Sequence, residues 1–258
     1  MREIRCFATD GNATCQNSWA GSSERDAVAP FWVLRAVIDG PVAPQTGYLC
    51  DIKEIDAVLR TEVLPQLVAE KSAELGLAAL ASRLVGAAST AAAQLPSPTK
   101  LLSLELSLSP YTKLAISTGA LQMIELTHAY EFSAAHRLSC KDLSDEENRR
   151  IFGKCSNPNG HGHNYVLEVT VTGPLDEATG TVTDLGHLDR IVRERVVEPF
   201  DHKHLNVELA EFATLNPTVE NIALVVWNRL VDALDRCRLA KVRVWETPKT
   251  YAEYSGSG

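Results

Sequence analysis

The first 127 residues of this 258-residue chain contain no histidine, and all seven histidines lie at or beyond His128. Any imidazole chemistry therefore belongs to the second half. The six cysteines, Cys6, Cys15, Cys50, Cys140, Cys155 and Cys237, form no C-x-x-C pair. The simplest reading is an intracellular protein with reduced thiols, most of them small buried apolar residues. An excess of basic charge is also missing. Lysine and arginine total 25 against 33 acidic residues, for a net charge of −8 and a pI near 5.4. That argues against a nucleic-acid surface but leaves room for a local basic pocket that takes a phosphorylated small molecule. The most apolar stretch, residues 75–86, is short and interrupted by Arg83, so no membrane span is expected. The opening residues Met1 to Cys6 are charged and lead into no apolar run, so no secretory signal is expected and a cytoplasmic location follows.

What is present is an ordinary globular composition, 45% hydrophobic and 22% charged. The length suits two domains, each able to bury roughly two thirds of its unfolded surface. An internal repeat divides them. Trp32-Val-Leu-Arg-Ala-Val-Ile-Asp-Gly-Pro41 aligns with Tyr165-Val-Leu-Glu-Val-Thr-Val-Thr-Gly-Pro174, displaced by 133 residues. The register continues without a gap through Thr46-Gly47 and Thr179-Gly180, Asp51 and Asp184, Asp56 and Asp189, and Arg60 and Arg193. Leu104 to Pro110 likewise resembles Val242 to Pro248, near the end of each half. A boundary near residue 120 follows, giving units 1–120 and 121–258, each read as strand, strand, helix, helix, strand, strand.

In the second unit, Thr127 to Ala135 reads as a strand ending at His136, and Asn164 to Thr172 alternates as another. Gly173-Pro174 and Thr179-Gly180 read as turns. Leu185, Leu188, Ile191, Val192 and Val196 mark a helix that Pro199 stops. Val219 to Leu234 marks a second, with Thr218 as its cap. Ala240–Thr247 and Thr250–Tyr254 read as a closing hairpin around Pro248.

The strongest chemical signal is His136 with His161-Gly-His163. Residues two apart on a strand share a face, so His161 and His163 point the same way. His136 ends the strand expected to pair with them. Three imidazoles and one open position describe a catalytic zinc site, and Gly160 and Gly162 leave room around it. His128 lies eight residues before His136 and reads as structural. Cys155 stands six residues before His161, in the loop-forming Ser-Asn-Pro-Asn-Gly context, where Lys154 and zinc would favour the thiolate. Asp201-His202 can fix an imidazole tautomer and relay a proton. A rival reading makes His202-Lys-His204 a second metal pair, but it lacks a third ligand. Glu246 lies in an otherwise apolar strand and needs a partner there; an aminopyrimidine edge offers two parallel donors. Glu220 opens a helix and suits its dipole. Arg149, Arg150 and Lys154 read as a solvated charged loop able to meet phosphates.

Together the segments His128 to His136, Phe152 to Tyr165, Asp201-His202, Asn216 to Asn221 and Val244 to Thr247 resemble the 6-pyruvoyl-tetrahydropterin synthase family, whose bacterial sister is the 6-carboxytetrahydropterin synthase of queuosine biosynthesis. The resemblance spans residues 121–256. It implies the α+β tunnelling fold, a four-stranded antiparallel sheet with two helices on one face, and homo-oligomers with sites between subunits. It implies zinc on His136, His161 and His163, a Cys155 base served by Asp201 and His202, and a pterin anchored by Glu246 with Thr218 and Glu220. The implied substrate is 7,8-dihydroneopterin triphosphate. The five residues between Cys155 and His161 match the pyruvoyl-forming type. The alternatives are the carboxy-forming enzyme, which releases acetaldehyde and triphosphate, and a non-catalytic zinc-containing assembly module. The first half then reads as a degenerate tunnelling-fold copy, with Leu108 in the place of Glu246, and the assembly as a trimer of two-unit chains.

Overall fold

A computed structural model describes residues 1–7, 31–68, 76–120, 123–174, 182–235 and 237–256. The expected Thr179-Gly180 turn lies outside the described residues. The chain forms two compact units. One comprises Met1–Leu126 with Thr172–Val182, the other Thr127–Val171 with Thr183–Gly258.

The first unit contains β1 (Arg2–Phe7), β2 (Phe31–Asp39), α1 (Ile52–Val58), α2 (Leu77–Gln94), β3 (Lys100–Ser107) and β4 (Thr112–Ser117). Its strands pair antiparallel in the order β1-β2-β3-β4. Alternation puts Trp32, Leu34, Ala36, Leu104, Leu106, Leu114 and Ile116 into the core. There they meet the buried face of α2, formed by Leu80, Leu84, Ala87, Ala88 and Ala91. On β1, β2 and β3, the side chains of Glu3, Arg35 and Glu105 stand opposite one another and form a cross-strand ion ladder.

The second unit repeats the plan with β5 (Met123–His136), β6 (His161–Pro174), α4 (Leu185–Val192), α5 (Val219–Leu230), β8 (Arg238–Thr247) and β9 (Thr250–Tyr254). Among the described residues the second unit also has α3 (Asp145–Phe152) between β5 and β6, and the short β7 (Lys203–His204), parallel to β5. The sheet order is β5-β6-β8-β9. Thr127 meets Thr170 and Ser133 meets Asn164, so β5 and β6 run antiparallel in a register that sets His136 opposite His161. Tyr165, Leu167 and Val169 are buried on the face that His161 and His163 continue.

Two expectations change. Gly173-Pro174 ends β6 rather than forming a turn. Pro199 does not stop its helix directly. A π-turn at Arg193–Val197 shifts the hydrogen-bond register, and Pro199 then sits in the first turn of Glu198–Phe200, where its missing N–H costs little. The first unit has the same device, a π-turn at Leu59–Val63 ahead of Pro65. Among the described residues, no helix is long and apolar enough to cross a membrane.

Candidate metal and thiol site

The end of β5 is held on several sides. The Asp201 carboxylate accepts from the Ser133 N–H at 2.8 Å, and the His202 N–H donates to the Ser133 carbonyl at 2.6 Å. Beyond the strand, the Asn206 side chain takes both backbone groups of Arg137, and Asn216 accepts from the Ser139 N–H. His136 itself is fully buried. Its Nδ1 lies 2.7 Å from the Pro217 carbonyl, which fixes the proton on that nitrogen and leaves Nε2 as a lone-pair donor.

His136, His161 and His163 come together as expected. Ring centroids lie 4.5 Å (136–161), 5.2 Å (136–163) and 4.8 Å (161–163) apart. One nitrogen from each falls within a mutual 4.8 Å. His136 Nε2, His161 Nδ1 and His163 Nε2 are buried without any hydrogen-bond partner. Three orphaned lone-pair donors on one point are costly unless something electron-poor occupies it. An all-imidazole set with an open fourth position suits zinc. Burial pushes His136 down to about 4 and also lowers His163, despite the opposing Glu246 charge. Both rings are therefore neutral ligands at pH 7.

Gly160 has φ +70°, and a Cβ there would lie 2.8 Å from His204 Nε2 and 2.9 Å from the His136 carbonyl. A side chain at Gly162 would meet only the Ala134 carbonyl at 3.6 Å, so only Gly160 is needed for room.

The other expected residues do not all join one group. Glu246 lies 3.5 Å from His136 Nε2 and 3.7 Å from His163 Nε2, beside the cluster at the end of β8. Burial first, and then Glu246, pushes the Cys155 thiol up, and the flanking Lys154 does not reverse that. The thiol sits in the turn Gly153–Ser156 after α3, whose carbonyl at Cys155 accepts from the Leu138 N–H. Asp201 and His202 are bonded to each other at 2.8 Å, and His202 is 82% exposed. His202 lines a cleft of about 560 Å³ together with Ser133, Gly162, His163, Asn164 and His204 among others. Among the described residues, no hydrogen bond joins Cys155 to the Asp201–His202 pair. His202 and His204 do not form a second metal group there either. Thr218 caps α5 through the Asn221 N–H, next to Pro217 whose carbonyl holds His136, and Glu220 is exposed in the first turn. His128 packs edge-on against Tyr130 at 5.0 Å.

Sequence reasoning missed three participants. Tyr165 is fully buried, packs edge-on to His163 at 5.6 Å, and its hydroxyl has no partner. The Pro217 carbonyl is a backbone atom and leaves no mark in residue types. Asn148 is buried and ties α3 to the preceding loop through Cys140, Leu143 and Ser144. The α3 helix was legible in the Ser144-Asp-Glu-Glu147 capping box, which forms as such.

Residues 125–257 match the family described as 6-pyruvoyl tetrahydropterin synthase. The human 6-pyruvoyl tetrahydrobiopterin synthase is 46% identical over 132 residues, 51% of this chain and 91% of that protein. A 6-carboxy-5,6,7,8-tetrahydropterin synthase of Haemophilus influenzae is 29% identical, over 51% of this chain and 99% of its own. Among solved structures, a Caenorhabditis elegans 6-pyruvoyl tetrahydropterin synthase superposes with a TM-score of 0.51 at 40% identity, covering 52% of this chain and 96% of that one.

Proposed function

The chain belongs to the 6-pyruvoyl tetrahydropterin synthase family, and from that premise we propose that it is a zinc-dependent lyase converting 7,8-dihydroneopterin triphosphate to 6-pyruvoyl-tetrahydropterin with loss of triphosphate. The observation that carries the reading is the convergence of three orphaned imidazole nitrogens with a thiol and a carboxylate beside them.

His136, His161 and His163 would hold the zinc, which supplies Lewis acidity that makes a C–H beside a bound side-chain hydroxyl easier to deprotonate. Cys155 takes that proton, and its raised pKa makes it a strong base once ionised. Glu246 grips the aminopyrimidine edge of the pterin, with Thr218 and Glu220 as further contacts; its carboxylate is then drawn away from the imidazoles by two donors of matching geometry. Asp201 stays ionised, because the Ser133 N–H and His202 stabilise its carboxylate, and so keeps the His202 tautomer fixed for later proton steps. Among the described residues no hydrogen bond joins that pair to Cys155, and His202 is exposed. Both facts favour a site completed between copies in a homo-oligomer.

The first unit reads as a second tunnelling-fold copy without a site. Support comes from the shared element order, the Asp51 and Asp184 caps 133 residues apart, and the paired π-turns. Two such units per chain would let a trimer of chains serve where single-unit relatives need six.

Incubation with dihydroneopterin triphosphate and mass analysis of the pterin tests the reading. The pyruvoyl product is expected. A carboxylated pterin with acetaldehyde would replace it with the sister activity, and unchanged substrate with zinc-loaded protein would leave an assembly module.

A further inference from the structure

Glu246 meets its neighbours acceptor to acceptor. Its Oε1 lies 3.5 Å from His136 Nε2 and 3.7 Å from His163 Nε2. The Pro217 carbonyl holds the His136 proton on Nδ1, so Nε2 turns a lone pair toward the carboxylate. Both Nε2 atoms are buried without a hydrogen-bond partner, and burial keeps both rings neutral near pH 7. The contact with His136 is thus oxygen against nitrogen with no proton to share. It repels unless something electron-poor lies between the two atoms.

The distances suit a shared ion better than a hydrogen bond. A ring N–H donating to oxygen spans about 2.7–3.2 Å. Two ligand atoms, each about 2.1 Å from a tetrahedral centre, stand about 3.4 Å apart. Separations of 3.5 and 3.7 Å fall near the second spacing. The backbone aims the side chain there. Trp245 pairs with Tyr251 and Thr247 with Thr250, so Glu246 is the extra residue of a β-bulge, a device that re-aims a side chain out of the strand's alternation. Among the described residues, no N–H or O–H donates to the carboxylate, and the side chain is 20% exposed. The carboxylate is not among the atoms that all lie within 4.8 Å of one another, so a turn about its side-chain bonds is needed to complete the set. The terminal torsion of a glutamate is broad and permits that turn.

We propose that Glu246 is the fourth ligand of the metal while the site holds no pterin, and that the aminopyrimidine edge takes the carboxylate off it; this rests on the zinc and pterin readings above. Two parallel N–H donors match a carboxylate and compete for the same oxygen lone pairs. The fourth position then opens only as a pterin is seated, when the side-chain hydroxyls are at hand to take it. Until then Glu246 keeps water and small anions from that position. It is a gate as well as an anchor.

Linkage makes the exchange measurable. If the aminopyrimidine loosens the hold of Glu246 on the metal, the metal must weaken the binding of the aminopyrimidine by the same factor. The probe is 2-aminopyrimidin-4-one, which carries the donor edge and has no side chain to reach the metal. Titrated calorimetrically into the full-length chain, it is expected to bind the zinc-loaded form at least about fivefold more weakly than the chelator-stripped form. Glu246→Asp keeps the charge and shortens the reach. It is expected to lower zinc affinity at least about tenfold in chelator competition, since even outer-shell losses cost that much. Its two probe affinities should fall within about twofold of each other. Glu246→Gln keeps the length and loses the charge, and should lower zinc affinity by at least as much. Circular dichroism checks that both variants fold, and the comparison of the two parent forms needs neither. A carboxylate acting through charge alone would leave Glu246→Asp with parental zinc affinity and parental coupling, and that result would overturn the proposal. So would equal probe binding to both forms of the parent, or binding to neither. None of these readouts uses turnover. Coupling as expected with no pyruvoyl product would leave the ligand exchange standing and remove the reaction, whereas product without coupling would remove the exchange alone.

Discussion

The two units share a plan and differ in their connections. Each runs strand, strand, helix, helix, strand, strand, with an aspartate capping the first helix and a π-turn ahead of a proline. Each carries an ion ladder on its sheet: Glu3–Arg35–Glu105 in one, Glu168–Arg243–Glu253 in the other. If Arg243 and Glu105 are matched as neighbours on equivalent strands, Leu108 falls where Glu246 stands, just beyond the end of β3. Most of the chemistry-bearing groups of the second unit lie near strand ends or between elements: His136, Cys155, His161, His163, Asp201, His202 and Glu246. The framework can therefore be kept while the site is lost, because packing and site draw on different residues.

The largest effect should come from the cluster. His163→Ala removes one of three ligands and is expected to abolish stoichiometric zinc in metal analysis and to lower turnover by at least about 10³-fold, while the circular dichroism spectrum stays that of the parent. Retained zinc would break the assignment. Cys155→Ala should keep its zinc and lose roughly 10²–10⁴-fold in kcat, the usual worth of a positioned base. Gly160→Ala should act on the same site from the backbone, since the new methyl must displace the His136 carbonyl or the His204 ring. Zinc affinity is expected to fall about 10–100-fold, as for other losses of outer-shell support, whereas Gly162→Ala should change it little.

The fold was legible in sequence wherever periodicity reports burial. Alternation in Tyr165 to Thr172 and the spacing of Ile222, Val226 and Leu230 reflect faces that are buried in the structure. The histidine cluster was legible too, because parity on β6 and the end of β5 suffice to place three rings. What stayed hidden were contacts made by atoms that every residue has. The Pro217 carbonyl on His136 Nδ1 comes from a segment 81 residues away. Whether Cys155 and the Asp201–His202 pair bond to each other depends on how two distant loops fold, and spacing along the chain says nothing of that.

Core and acid stability extend the comparison. Leu84→Ala in the first unit and Ile222→Ala in the second both empty fully buried sites, and each should cost about 2–5 kcal/mol in denaturant unfolding. Only the second should disturb zinc binding, through the α5 segment that carries Pro217 to His136. If Leu84→Ala lowered kcat per folded molecule as much, the first unit would be part of the active machinery. On first acidification below about pH 6.5, the second unit should weaken before the first when zinc is removed by a chelator, since the first unit has no histidine and its ion-paired carboxylates titrate lower. His136 has a folded pKa of about 4, below its unfolded value near 6.5. The unfolded chain then binds the extra proton, so stability is full above about pH 6.5 and is lost as pH falls toward 4, by up to about 3 kcal/mol. His136→Gln should flatten that slope.

The smallest expected effect is the most direct test of common design. Asp51 accepts from the Lys53 N–H at 2.9 Å and Asp184 from the Gly186 N–H at 3.1 Å, each satisfying an otherwise orphaned donor at the start of a helix. Asp51→Ala and Asp184→Ala should each cost about 1 kcal/mol, measured as a shift in the denaturant midpoint with unchanged slope. The double variant should lose the sum, since two caps without shared partners act independently. A cap that mattered in one unit and not in the other would mean that the helices, although matched in sequence register, are held by different contacts. Equal costs would mean that the two helices are held at their starts by equivalent contacts, as the proposed tandem requires.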